Sequence, residues 1–115
     1  MTARFRSLFT PKDVDDALET ARDRTVVVYK HSPICEISAD ALEEMNRFLA
    51  DAPAGLDVRI VDVLAARPAS QHLEARTGIR HESPQVLVMS GGDVAWNASH
   101  RRITAAAVSE AFAAL

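Results

Sequence analysis

Hydrophobic and polar positions divide the chain into segments of two different periods. Thr25-Val26-Val27-Val28-Tyr29 is apolar nearly throughout and β-branched, the pattern of a central strand over 25–30 buried on both faces. Val58 to Val63 predicts a second strand and Gln85 to Met89 a third. Gly91-Gly92 then predicts a tight hairpin turn, with Asp93 to Ala98 returning antiparallel. Between strands the period changes to 3.6. Ile37, Ala41, Met45, Phe48 and Leu49 share one face of a helix over about 36–50, with Asp40, Glu43, Glu44 and Arg47 opposite. An earlier helix is announced by Thr10 as cap, Pro11 at the first helical position and Asp13 in the first turn. It runs to about Arg22, and Phe9 and Val14 have the spacing of a hydrophobic staple. Pro68 opens a third helix and Gly78 ends it; Thr104 caps a last, alanine-rich helix up to Leu115. Phe5 to Leu8 reads as a short edge strand.

The order is thus α, β, α, β, α, β, β, α. It predicts an α/β fold over residues 1–115 as one domain, with a central mixed sheet of four strands, or five if Phe5–Leu8 pairs, and helices on both faces. Strand, helix, strand implies a parallel pair with a right-handed crossover.

Composition narrows the function classes. Apolar residues make up 48% and charged residues 25% of the chain, values of a soluble globular protein. A net charge of -3 gives no basic surplus for nucleic acid. No apolar run reaches membrane-spanning length, and the N-terminus has no signal-peptide apolar core. A single cysteine forms no internal disulfide. These features together predict a cytoplasmic protein without a membrane partner. Asn97-Ala98-Ser99 fits a glycosylation acceptor, which in that compartment is a chance match.

That one cysteine, Cys35, falls where the first central strand hands over to a helix N-terminus. The first amides of a helix have no partner within it, and the helix dipole is positive there. Both favour the thiolate, the reactive form. The same end of an open α/β sheet, the carboxyl edge of its strands, is where ligands bind. The ordinary reading of a free cysteine is a small buried hydrophobe, and the position argues against it. Ser38 stands three residues on, giving C-x-x-S. It can donate a hydrogen bond to a thiolate but cannot form a disulfide, so an exchange reaction stops at a mixed disulfide that another thiol must release. His31 and His81 admit two sharp readings, a thiolate-stabilising cation or a zinc site. One cysteine among scattered histidines is a weak zinc signal, and a histidine bonded to a backbone carbonyl is the plain alternative. His72, mid-helix, reads as solvent-exposed, and Trp96 as core or hairpin packing.

The order of elements, with a cysteine after the first central strand and a proline before the hairpin, resembles the thioredoxin fold over nearly the whole chain. Lys30-His31-Ser32-x-x-Cys35-x-Ile37-Ser38 and His81-Glu82-Ser83-Pro84-Gln85 resemble two segments of the YtxJ-like family, the monothiol bacilliredoxins. The resemblance implies exchange with mixed disulfides between client proteins and the small thiol bacillithiol, without a bound cofactor. It makes Cys35 the catalytic residue, with Ser38, His31 and Ser32 supporting it. It implies a cis Pro84 against the cysteine, with Ile34, Ser83 and His81 touching substrate. Apart from the resemblance, Lys30, Arg80 and His81 are candidates to meet an anionic small thiol, although basic residues at a loop edge are more often just solvated. One departure is Glu36, where the family usually has proline directly after the cysteine. Its carboxylate opposes thiolate formation, against the helix N-terminus.

Two other readings fit the same pattern. One is iron–sulfur carriage of the monothiol glutaredoxin kind, although the Gly-Phe usual after that cysteine is absent. The other is a non-catalytic thioredoxin-like interaction module.

Overall fold

Five strands, flanked by helices on both faces, make up the sheet of this protein in a computed structural model that describes residues 5–53 and 55–115. In chain order the elements are β1 (Phe5–Ser7), α1 (Pro11–Thr20), β2 (Val26–His31), α2 (Glu36–Asp51), β3 (Asp57–Asp62), α3 (Arg67–Thr77), β4 (Gln85–Ser90), β5 (Asp93–Ser99), a 3-10 turn (His100–Arg102) and α4 (Ala105–Ala113). The sheet order is β1-β3-β2-β4-β5. β3 runs parallel to β1 and β2, and β4 runs antiparallel to β2 and β5. The edge strand predicted at Phe5–Leu8 therefore pairs, as the fifth.

β2 lies at the centre, and its residues Val26 to Lys30 are all buried. Alternate side chains enter opposite cores. Val26 and Val28 join Val61, Leu87 and Met89 beneath Val14 and Ala17 of α1 and Ala69 and Leu73 of α3. Val27 and Tyr29 join Val58, Val86 and Val88 beneath Met45, Phe48 and Leu49 of α2 and Val108 of α4. Trp96 packs half-buried against this second core.

Local chemistry sets the ends of these elements. Thr10 Oγ1 accepts from Asp13 N (3.2 Å) while Asp13 Oδ2 accepts from Thr10 N (3.1 Å), a reciprocal cap on α1. Phe9 is 67% exposed, so the expected staple on Val14 buries little; the Asp13 carboxylate, which also accepts from Phe9 N (2.9 Å), helps fix the entry of the chain. Gly91 and Gly92 take φ of 64° and 87°, the positive values a two-residue hairpin turn demands. His72 is not solvent-exposed as predicted: it is half-buried and bonded through Nε2 to Asp15 Oδ1 (2.7 Å), which joins α3 to α1. The Asn97-Ala98-Ser99 triplet lies inside β5, with Ala98 and Ser99 buried.

Strand direction decides which loops meet. The parallel pair β2 and β3 end together, with His31 opposite Asp62. Antiparallel β4 begins at that same end, with Gln85 opposite Lys30 and Ser99. The loops carrying Cys35, Val63, Ser83-Pro84 and His100 therefore share one edge of the sheet.

Candidate active site

Cys35 is the N-cap residue of α2, extended at φ -110° and ψ 125°, and its side chain is partly exposed. A cap residue is normally Ser, Thr, Asp or Asn, whose oxygen accepts from the amides two and three residues on. A neutral thiol is a poor substitute, and the Cys35 side chain makes no capping hydrogen bond. The thiolate is a better one. The backbone N–H of Ser38 is the largest influence holding the Cys35 pKa below its ordinary value, followed among the favourable ones by the N–H of Ile37 and the Ser38 hydroxyl. Burial and the Glu36 carboxylate push the other way, Glu36 least of all. The helix start thus outweighs the acidic residue placed where the family usually has proline.

Hydrogen bonds hold the loop in this shape. Cys35 N donates to Ser32 O (3.2 Å), and Ser32 N donates to Ser38 Oγ (3.2 Å). Ser38 is fully buried, and its carbonyl accepts from Tyr29 Oη (2.9 Å). Tyr29 Oη also lies 3.2 Å from His31 Nδ1. Burial, then the Cys35 thiolate, raise the Tyr29 pKa, so the hydroxyl keeps its proton and remains a donor. His31 is half-buried, and burial lowers its pKa, against the pull of Asp62. The lowered pKa disfavours the thiolate-stabilising cation among the readings of His31, and the ring's partner is the Tyr29 hydroxyl rather than a backbone carbonyl.

The Ser83–Pro84 bond is cis, Pro84 is buried, and its carbonyl accepts from His100 N (2.9 Å). Ser83 is half-buried and faces a groove of about 350 Å³ that it shares with Ser32, Arg67, Ser70, Glu74 and His81. His81 is exposed, with Nδ1 3.3 Å from Ser70 Oγ and its backbone N–H donated to Glu74 Oε2 (2.7 Å). Burial, then Lys30, lower its pKa. Ile34, directly before the cysteine, is 82% exposed. Among the described residues no three His, Cys, Asp or Glu side chains converge as a metal site.

Lys30 does not stand at a loop edge as the sequence suggested. It is 1% exposed, and Nζ donates to Gln85 Oε1 (3.2 Å). Gln85 completes its bonds by donating from Nε2 to Arg80 O (3.1 Å) and Ser99 Oγ (3.3 Å). Burial pushes the Lys30 pKa down to about 8, with Glu74 and Glu82 pulling it up. Sequence reasoning passed over Tyr29 and Gln85. Each had a signal, a polar tip at the carboxyl end of an apolar strand and a lone amide opening another. Arg67 and Glu74 carried none until α3 was placed.

A mixed sheet with a cis proline and a helix-capping cysteine in loops at the same edge defines a thiol–disulfide oxidoreductase of thioredoxin fold, here with one cysteine. A solved structure described as a candidate oxidoreductase with a thioredoxin fold is similar at 28% identity and a TM-score of 0.83, over 95% of this chain and 94% of that one. A Fasciola hepatica thioredoxin shares the fold at 16% identity and a TM-score of 0.73, over 96% and 98% of the two chains. Mitochondrial thioredoxin 3 of Saccharomyces cerevisiae does so at 10% identity and 0.74, over 99% and 98%. Residues 6–108 match the monothiol bacilliredoxin BrxC family, and the chain belongs to it.

Proposed function

We propose that this protein removes a small thiol, bacillithiol in the first instance, from S-thiolated client proteins in the cytoplasm. The observation that carries the proposal is the first turn of α2, whose Ser38 and Ile37 amides favour the Cys35 thiolate while Ser38 supplies no second sulfur. The Cys35 thiolate attacks the small-thiol sulfur of the client's mixed disulfide. A new S–S bond joins Cys35 to the small thiol, the old S–S bond breaks, and the client sulfur leaves with the electron pair and takes a proton. A second small-thiol thiolate then attacks the carried sulfur, giving the small-thiol disulfide and restoring the Cys35 thiolate. Electrons move between sulfur atoms only, so no bound cofactor is called for. Ser32, Ser38 and His31 support the thiolate's loop, while Ile34, Ser83, Pro84 and His81 border the bound client or small thiol.

Intact mass after mixing with an S-bacillithiolated client tests this. Wild type gains one small thiol; Cys35→Ser gains nothing, its hydroxyl being a far weaker nucleophile; Ser38→Cys loses two hydrogens by closing an internal disulfide. A wild type that gains nothing while Cys35 still alkylates readily would sink the proposal.

A further inference from the structure

Among the described residues His100 is the one non-glycine with a positive φ, 57°. A side chain in this left-handed region is strained, and glycine relieves the strain. Strain of this kind persists where the surroundings impose it, and it gathers at functional sites. Main-chain bonds impose it here: His100 N donates to Pro84 O (2.9 Å), and Ile103 N donates to His100 O (3.2 Å). Neither bond uses the imidazole, so glycine would suit the turn better. The ring is exposed and makes no hydrogen bond to the described residues. Glu82 feels its charge, but the Ser99 hydroxyl is the larger influence on that carboxyl. A strained position beside the cis proline thus carries a ring for which the fold has no use.

His100 borders a groove of about 340 Å³ between its turn and α2. Ile37, from the helical turn that faces Cys35, lines it together with Ala41 and Ile103. Cys35 itself does not. Three acids of α2 also reach the groove, and each has a partner within the protein. Asp40 accepts from Arg101 Nη1 (3.0 Å), Glu44 accepts from Ala105 N (2.9 Å), and Glu43 pairs with Arg47 (3.9 Å). What is left for an occupant is chiefly an apolar strip and one imidazole. That set suits a polypeptide, which brings apolar side chains and main-chain hydrogen-bonding groups, better than an anionic small thiol. We propose that His100 is a specificity-determining residue whose ring hydrogen-bonds the main chain of a client beside its thiolated cysteine. This assignment rests on the exchange reaction proposed above and names what favours a polypeptide over a free disulfide in it.

The test compares two substrates: a short peptide whose single bacillithiolated cysteine is flanked by leucines, and bacillithiol disulfide. The quantity read is the ratio of their second-order rates with Cys35, peptide over disulfide. His100→Gly should lower this ratio about fivefold, the loss of one neutral hydrogen bond. The same change should raise the urea midpoint, because it relieves the strained backbone. Asn, like His, is among the side chains met in the left-handed region, and it carries both a donor and an acceptor. His100→Asn should therefore recover part of the ratio. A ratio that stays at the wild-type value in His100→Gly overturns the proposal, whether both rates hold or both fall together. A ratio that falls in His100→Gly with no recovery in His100→Asn overturns the hydrogen bond. If neither substrate loads Cys35 while it still alkylates, the exchange reading fails first and the assignment with it.

Discussion

The hydroxyl of Tyr29 donates a 2.9 Å hydrogen bond to the carbonyl of Ser38. A residue of the central strand thereby holds the helical turn whose amides face Cys35. The hydroxyl has one proton, so once it is given to Ser38 the contact with His31 Nδ1 has the ring as donor. Hydrogen-bond partners thus assign the neutral tautomer of His31, with Nε2 as its unprotonated nitrogen.

Tyr29→Phe removes this tie and leaves the ring packing in place. Stability should fall by about 1 kcal/mol, the net worth of one buried hydrogen bond. The alkylation inflection of Cys35 should move up toward its free value as the first turn loosens. Urea denaturation and iodoacetamide rates against pH measure the two effects. Loss of stability with an unmoved inflection would make Tyr29 structural only.

For the wild type, the alkylation rate of Cys35 should inflect below the free thiol value of about 8.5. The Ser38 and Ile37 amides favour the thiolate and Glu36 opposes it. Glu36→Gln should therefore lower the inflection further, and Ser38→Ala, which deletes the hydroxyl, should raise it. An inflection that ignores both changes would show that the first turn does not control the sulfur.

Lys30 gives a pH signature of opposite origin. Its folded pKa is pushed down to about 8 by burial, below its ordinary value of 10.5. Between those values the unfolded chain holds a proton that the folded chain has released, so folding stability gains from rising pH. Below pH 8 both states are protonated, and the full cost of burying the charge remains. Lys30→Met deletes the titration. The stability of wild type relative to this variant should climb from pH 8 to pH 10, measured by urea midpoints. A flat difference would mean that the ammonium is not buried as a charge.

Met45 is 0% exposed and seats α2 on the sheet. Met45→Ala should cost about 2–5 kcal/mol through lost contact and a residual cavity. Thermal unfolding with and without the substitution measures the cost. A loss under about 1 kcal/mol would indicate that the core collapses around the gap.

Local patterns carried much of this fold in legible form. The strand-to-helix handover at Cys35, the Thr10 cap and the glycine turn at 91–92 each follow from a few adjacent residues. So did the edge strand at Phe5, although its partner β3 lies some fifty residues away and had to be found by the fold. Relationships between distant residues stayed hidden. His72 reaches Asp15 across 57 positions, and Lys30 reaches Gln85 across 55. Lysine and histidine look alike in sequence whether solvated or enclosed, and only the packing of α3 over the sheet decides. Arg67 and Glu74 as groove residues were invisible for the same reason, since a polar helical stripe ordinarily faces water.

Cys35 as the cap of its own helix couples covalent state to conformational stability. In the thiolate form the Ser38 and Ile37 amides meet an anion; in the mixed disulfide they meet a neutral sulfur, a weak acceptor. Around a closed thermodynamic cycle, whatever stability the helix start loses on carrying the small thiol returns as a bias toward giving it up. The same donors that make Cys35 a ready nucleophile make it a good leaving group. On the exchange proposed above, the loaded protein would therefore be the less stable one, and its turnover would be driven partly by the refastening of a helix.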